Sequence, residues 1–133
     1  MKKVAILAVM ALMSVVAFGK TLPEKAQKFL EVAFPERTIL MLDAKIDCEV
    51  TLDDFTEIDF DMYGQWKEID AKGHGDIPET AIPAQIREAI NKNFEGKKIV
   101  KMDRSFGGNI EVELINGVEI EFDRNFMIVN FDR

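Results

Sequence analysis

Two stretches of sequence decide the fold of this chain, EVTLDDFTEIDFD at residues 49–61 and EVELINGVEIEFD at residues 111–123. In each stretch apolar and polar side chains alternate, which is the pattern of β-strands with one buried face and one exposed face. The two stretches also agree position by position, so that Val50 corresponds to Val112. Such regular agreement indicates one structural unit written twice.

A helical pattern precedes each of these stretches. The patterns begin at Leu22-Pro23 and Ile82-Pro83, where proline suits a first helical turn because its missing N–H needs no partner there. Apolar residues then recur at intervals of three and four, as on the buried side of a helix. We predict helices at 22–34 and 82–94, and strands at 38–43, 46–52, 57–62, 66–70, 97–104, 109–115, 118–124 and 127–131.

The predicted fold class is α+β, a tandem repeat in which each copy has one helix and three or four antiparallel strands. The first repeat spans 20–70, a polar linker spans 71–81 and the second repeat spans 82–133. One helix on a small sheet buries too little apolar surface to be stable alone. We therefore expect 20–133 to form one structural domain, a single sheet with both helices packed on one face.

Residues 1–19 have the pattern of a secretory signal peptide. Lys2 and Lys3 precede an apolar run, and Ala17-Phe18-Gly19 places small residues at the two positions that a signal peptidase reads. The run is shorter than the roughly 18 to 20 residues that span a bilayer, and no cysteine follows it for a lipid anchor. We expect a periplasmic or secreted protein with no membrane span after cleavage.

The face of the sheet opposite to the helices is predicted to be acidic. A three-residue loop, Ile115-Asn116-Gly117, keeps apolar and polar faces separate, sets Glu113 opposite Glu119 and sets Glu111 opposite Glu121. Two interpretations stay open, a face that is only solvated and relieved by Lys67, Lys97 or Lys101, and a docking surface for something cationic. The candidate carboxylates are Glu49, Glu57, Asp59 and Asp61 in the first repeat and Glu111, Glu113, Glu119, Glu121 and Asp123 in the second.

Two aromatic residues fall on predicted hairpin tips and are candidate partner contacts. Phe55 stands where the second repeat has Gly117, at a position that requires left-handed backbone, so its turn must differ or be strained. Tyr63 falls on the next tip along the chain. An aromatic ring at such a tip packs locally or contacts a partner.

Composition and motifs argue against several functions. The net charge of −7 argues against a nucleic-acid partner. With one histidine and one cysteine the chain has no zinc pattern, and it has no phosphate-binding loop. Cys48 lies on the buried face of a predicted strand and is interpreted as a small core residue. We predict no catalytic residue, metal site or cofactor and expect a non-enzyme. A hydrolase using carboxylates would need a pocket with close carboxyl groups and one strongly raised pKa.

The order of these motifs resembles a family of small exported bacterial proteins, the β-lactamase-inhibitor-like, PepSY-like family. The resemblance covers essentially all of the chain after residue 19 and is carried by Leu22-Pro23, Phe34-Pro35, Glu49-Val50-x-Leu52, Ile58-x-Phe60-Asp61, Gly64-x-Trp66, Ile77-Pro78, Ile82-Pro83 and Asn116-Gly117. It implies a tandem α+β repeat with helices on one face of an antiparallel sheet. β-Lactamase inhibitor proteins clamp an enzyme with a similar sheet, and PepSY domains are thought to restrain peptidases. The resemblance assigns no catalytic or binding residue.

The leading functional hypothesis is an exported, non-catalytic binding protein, inhibitor-like in character. It would act as a monomer that docks a protein partner with a basic patch through the acidic face. The alternative is a periplasmic protein that binds a small ligand or a cation such as calcium. No EF-hand spacing is present, so a calcium site would have to be of another kind.

Overall fold

The computed structural model of the chain describes residues 22–44 and 47–133, so the predicted signal peptide lies outside the described residues. Both predicted helices and all eight predicted strands are confirmed, with ends that differ by about two residues. The elements are α1 (Glu24–Ala33), β1 (Ile39–Ala44), β2 (Cys48–Leu52), β3 (Glu57–Phe60), β4 (Trp66–Asp70), a 3₁₀ turn (Glu79–Ala81), α2 (Ala84–Asn93), β5 (Ile99–Arg104), β6 (Ile110–Leu114), β7 (Glu119–Phe122) and β8 (Ile128–Asp132).

The eight strands form one open antiparallel sheet in chain order, from β1 at one edge to β8 at the other. The predicted α+β class is therefore confirmed. Within residues 22–44 and 47–133, consecutive strands are neighbours throughout and no crossover is present. The centre of the sheet is the pairing of β4 with β5, where Ile69 lies opposite Met102. This pairing makes one continuous layer of all eight strands.

One hydrophobic core lies between the sheet and the two helices. It contains the inward side chains of the strands together with Ala26, Leu30, Ile86 and Ile90 from the helices. The ring of Phe29 on α1 also meets that of Phe60 edge to face. Because both helices join a single core, they cover the same face of the sheet and leave the other face open.

The turn of the β2–β3 hairpin and the turn of the β6–β7 hairpin have the same pattern of hydrogen bonds. After β6, the amide of Leu114 donates to the carbonyl of Val118 at 2.8 Å, and Gly117 adopts a φ of 90°. The three-residue loop predicted for this hairpin is therefore confirmed. After β2, the amide of Leu52 donates to the carbonyl of Thr56 at 2.9 Å, and Phe55 adopts a φ of 67°. The Phe55 turn therefore has the same backbone form as the Gly117 turn, and its left-handed φ is strained for a phenylalanine.

Both edge strands contain an extra residue that interrupts the ladder. On β1, Ile39 and Met41 oppose consecutive residues of β2, so Leu40 is the extra residue. On β8, Val129 is the extra residue between Ile128 and Asn130. Each is a β-bulge, which bends its strand and leaves one residue unpaired.

A close backbone approach holds the start of α1 against the β3–β4 turn. Gly64 in that turn has a φ of +87°, and a Cβ atom built on it would lie 2.9 Å from the backbone nitrogen of Ala26. Real side chains do not tolerate that distance. Gly64 is therefore required both by its φ and by the closeness of α1.

The linker between the halves contributes to the core. Ile77 and Ala81 are buried, and the amide of Ile77 donates to the carbonyl of Ile99 at 2.8 Å. The hydroxyl of Thr80 donates to the carbonyl of Ala33, the last residue of α1, at 2.7 Å. Residues 76–81 therefore pack against the end of α1 and the start of β5.

Candidate binding face

A line of carboxylates crosses the open face of the sheet. Each member lies directly opposite the next on the neighbouring strand, and the line ends at Asn130 on β8. We call this line the carboxylate row; its members, from β1 to β7, are Asp43, Glu49, Asp59, Glu68, Asp103, Glu111 and Glu121. Neighbouring strands lie only about 4.8 Å apart, so like charges in such a line repel each other.

A second line runs parallel to the carboxylate row, two residues along each strand. It is less uniformly charged; its members, from β1 to β8, are Met41, Thr51, Glu57, Asp70, Lys101, Glu113, Glu119 and Asp132. The predicted pairing of Glu111 with Glu121 and of Glu113 with Glu119 is confirmed. The open face therefore carries two adjacent lines of predominantly negative charge.

Lysines offset part of this charge. The ammonium group of Lys101 lies 3.4 Å from Glu68. Burial lowers the pKa of Lys101, but Glu68 and Asp70 outweigh burial and raise it above its ordinary value. Lys67 pairs with Asp47, whose hydrogen bond raises the pKa of Lys67. Lys97, the third lysine expected on this face, lies instead beside Phe94 on the helix side.

Asp59 is the most perturbed carboxylate of the row. Burial, then the charges of Glu49 and Glu68 on its two sides, raise its pKa to about 6, and a side-chain hydrogen bond with Glu49 adds to the effect. Glu111 responds in the same direction, since burial and the nearby charge of Glu119 raise its pKa. The protein therefore holds these carboxylates together against their mutual repulsion.

A shallow cavity of about 260 Å³ lies at the β1–β2 end of the row. Asp43, Asp47, Glu49 and Asp59 line it together with Lys67. Glu49 and Asp59 are thus the close carboxyl pair with a raised pKa that a carboxylate hydrolase would need. The cavity, however, is open to solvent on the sheet face and does not exclude water. Among residues 22–44 and 47–133, no group of three or more His, Cys, Asp or Glu side chains is arranged to hold a metal ion.

The carboxylates of Asp61 and Asp123 form hydrogen bonds within turns just beyond the ends of β3 and β7. The Asp61 carboxylate accepts hydrogen bonds from the amides of Tyr63 and Gln65 at 2.9 and 3.0 Å. Asp123 accepts from the amides of Asn125 and Met127 at 2.8 and 3.0 Å. These two side chains stabilise turns and do not extend the carboxylate row.

The two candidate aromatic contacts lie in turns at opposite ends of the same strand, β3. Phe55 is in the β2–β3 turn, where its ring centroid is 5.5 Å from that of His74. Tyr63 is in the β3–β4 turn and is 74% exposed. The structure therefore does not bring them together into one surface.

Sequence reasoning missed three members of the row, Asp43, Glu68 and Asp103. Their signal was the alternation itself, since Glu68 and Asp103 flank the inward residues Ile69 and Met102. Placing Glu68 opposite Asp103 required the register between β4 and β5, which no hairpin turn specifies. Asp43 depends instead on the register of β1 with β2.

These features define a small α+β protein with an open, acidic sheet face. The sequence profile of the family described as "Putative beta-lactamase-inhibitor-like, PepSY-like" matches residues 46–130. The chain belongs to this family. No curated protein matches the chain significantly. Within the described part of the chain, no helix has the length and apolar character to traverse a lipid bilayer.

Solved structures of Bacteroides proteins have the same fold. A "putative periplasmic protein" of the DUF2874 family from Bacteroides vulgatus is 28% identical, with a TM-score of 0.73 over 84% of this chain and 91% of that one. A "putative calcium-regulated periplasmic protein" from Bacteroides thetaiotaomicron is also 28% identical, with a TM-score of 0.74 and the same coverage. A third, from Bacteroides vulgatus and described as of unknown function, has a TM-score of 0.70 at 28% identity over 84% of this chain and 92% of its own.

Proposed function

We propose that this protein is a non-catalytic binding protein of the bacterial envelope, which docks a basic protein partner through the carboxylate row. The observation that carries the proposal is the row itself, seven carboxylates on seven consecutive strands of an open face. A partner that presents lysines or arginines would remove repulsion that the free protein bears, and it would be steered to this face by long-range attraction.

An inhibitor-like role would use the sheet as a flat docking surface. The row is solvent-facing along its length, with Glu49 and Glu111 exposed, and a large rigid face suits another protein better than a small molecule. The family description and the fold of the neighbours are consistent with such a role. Exposed charge determines association rate and selectivity more than affinity, so we expect binding to weaken with salt.

Charge reversal on the row tests this proposal. Tagged wild type and the double variant Glu49→Lys with Glu111→Lys are used as baits in periplasmic extract. The matched control is Glu36→Lys with Glu88→Lys, which has the same net charge but changes exposed residues away from the face. We expect a partner that wild type and the control both retain and the row variant loses. Any recovered partner is then purified and titrated against wild type at several salt concentrations.

Equal recovery of partners by the row variant and the control would contradict a role for the row. So would binding of the purified partner that is insensitive to salt. Melting curves of all three proteins establish that a lost partner does not reflect a lost fold.

Calcium binding is the second candidate function. Its support is the carboxylate-lined cavity bounded by Asp43, Asp47, Glu49 and Asp59, together with the structural neighbour described as a "putative calcium-regulated periplasmic protein". Calcium takes six to eight oxygen ligands, so binding here requires rearrangement of these side chains. Calorimetric titration with calcium, with magnesium in parallel, tests it; heat that Glu49→Gln with Asp59→Asn abolishes would favour it. The absence of heat in wild type would exclude it.

We further propose that 20–70 and 82–133 are two copies of one unit joined by linker 71–81, together forming one exported, monomeric domain after removal of 1–19. The matched turns at Phe55 and Gly117 and the repeated element order support two copies. The shared core supports one domain. A single calorimetric unfolding transition with equal calorimetric and van't Hoff enthalpies is expected. Two transitions would contradict a single domain.

A further inference from the structure

An open groove lies on the helix side of the sheet, away from the carboxylate row. It is formed by the end of α2, the β6–β7 turn and the edge strand β8, and has a volume of about 390 Å³. The rings of Phe94 and Phe131 meet edge to face at 5.9 Å and form its apolar floor. Phe131 is nevertheless 59% exposed. A large ring left this exposed in a groove is typical of a contact site.

The first half of the chain contains a counterpart of this groove. Its lining residues occupy corresponding positions at the end of α1 and in the β2–β3 turn: Ala33, Phe34, Arg37 and Asp54 stand where the open groove has Asn93, Phe94, Lys97 and Asn116. The two grooves therefore have the same backbone framework and differ in what lies over them.

In the first half the chain itself covers part of the counterpart groove and leaves a cavity of about 240 Å³. The residues corresponding to Phe131 and Arg133 are Ile69 and Ala71, which are 0% and 2% exposed. β5 pairs beside β4 there, and residues 76–81 pack over the helix end through the hydrogen bond from Thr80 to the carbonyl of Ala33. Within the described residues, no equivalent strand or segment covers the groove beside β8.

The segment that covers the counterpart groove has a definite chemistry. It reads Asp76-Ile77-Pro78-Glu79-Thr80-Ala81, with Ile77 buried and Pro78 in extended backbone. Asp76, Pro78 and Thr80 line the counterpart groove, and Ile77 lies beside α2 and the start of β5. The segment thus combines an acidic side chain, a buried aliphatic side chain and a hydroxyl. Two cationic side chains, Lys97 and Arg133, and one acidic side chain, Glu95, line the open groove. The balance of charge is positive and suits an acidic residue in such a segment.

We propose that the open groove binds an extended segment of a partner protein, in which an acidic residue stands beside an aliphatic one as Asp76 stands beside Ile77. The aliphatic side chain packs on Phe94 and Phe131, and the acidic side chain pairs with Lys97 or Arg133. This site recognises a charge opposite to the one the carboxylate row would recognise, so the two proposals fail or succeed separately.

The probe is a capped synthetic peptide with the sequence of residues 75–82, GDIPETAI. It is titrated into the isotope-labelled protein while backbone amide shifts are followed by NMR. We expect saturable shifts at Phe94, Lys97 and Phe131, and weaker binding of a scrambled peptide. Lys97→Glu and Arg133→Glu should each weaken binding about threefold to tenfold, as expected for reversing one exposed charge. Lys28→Glu, an equal charge change on α1, should leave it unchanged.

Four results would overturn the proposal. The first is the absence of saturable shifts, and the second is equal binding of the scrambled peptide. The third is a set of shifts confined to Phe34 and Arg37, which would mean that the peptide only displaces the chain's own segment. The fourth is shifts at Phe131 that depend on protein concentration without peptide, which would assign the groove to a second copy of this chain.

Discussion

Asp59 lies directly opposite Glu49 on the neighbouring strand, and the two side chains line the same shallow cavity. Burial and the charges of Glu49 and Glu68 raise the pKa of Asp59 from 3.8 to about 6. The folded state therefore binds a proton that the unfolded state has lost between about pH 4 and pH 6. This carboxylate makes the folded state less stable as the pH rises through that window, and the cost persists at neutral pH.

We expect Asp59→Asn to raise the melting temperature at pH 7.5 and to leave it nearly unchanged below pH 4. Because Asp59 is partly solvent-exposed, screening limits the gain to roughly 1 kcal/mol or less, or about 2–4 °C. Thermal melts followed by circular dichroism at the two pH values measure it, with Glu36→Gln as a control away from the row. A loss of stability at both pH values would contradict this account, since it would mean that the hydrogen bond outweighs the charge.

Salt should stabilise this protein. Raising the ionic strength from about 0.02 M to about 0.3 M shortens the screening length from about 20 Å to about 6 Å, close to the spacing of neighbouring strands, and so weakens repulsion along the carboxylate row. We expect the melting temperature at pH 7.5 to rise with sodium chloride. The rise should be smaller in Glu49→Gln with Glu111→Gln than in Glu36→Gln with Glu88→Gln. An equal rise in both variants would place the repulsion elsewhere.

At both matched turn positions, 55 and 117, we expect glycine to be more stable than alanine. Gly117 has a φ of 90° and open space around its Cα, so Gly117→Ala costs only backbone strain, about 1 kcal/mol. At Phe55, with a φ of 67°, glycine should for the same reason be more stable than alanine by about 1 kcal/mol. Urea melts of Gly117→Ala and of the pair Phe55→Gly and Phe55→Ala measure both effects. Phe55→Ala proving the more stable would show that this turn changes its backbone on substitution.

Gly64 should be the least replaceable glycine of the hairpin turns. A Cβ atom there meets the backbone nitrogen of Ala26 and the side chain of Pro23 at 2.9 and 3.0 Å, so α1 must move away. We expect Gly64→Ala to lower stability by about 2 kcal/mol or more, about 8 °C in melting temperature. Gly107→Ala is the control, because a Cβ atom there meets nothing within 4 Å, and it should change stability little. Similar melting temperatures for the two variants would contradict the close approach of α1.

The hairpins could be predicted from sequence because two local rules agree. Alternation assigns the faces, and only a three-residue loop before Val118 keeps the faces separate. The pairing of β4 with β5 has no such local rule, since the linker that joins them is long. Glu68 and Asp103 were therefore missed, although together they connect the acidic residues of the two halves into one row.

Other features depended on contacts that the pattern does not encode. Asp61 and Asp123 follow the alternation of the acidic face, yet their carboxylates accept amide hydrogen bonds in turns. A short polar side chain at a strand end competes for local amides, and alternation alone does not reveal which use it serves. The exposure of Phe131 likewise follows from the strand order, which makes β8 an edge.

The extra residues Leu40 and Val129 bear on how this protein behaves when crowded. A straight outermost strand is a template onto which another molecule can add its own backbone, and repeated addition produces fibres. A bulge puts the amide and carbonyl groups of that strand out of step after a few residues. Each outer strand of this protein therefore offers only a few residues in step to another molecule, which opposes stacking into filaments at high concentration.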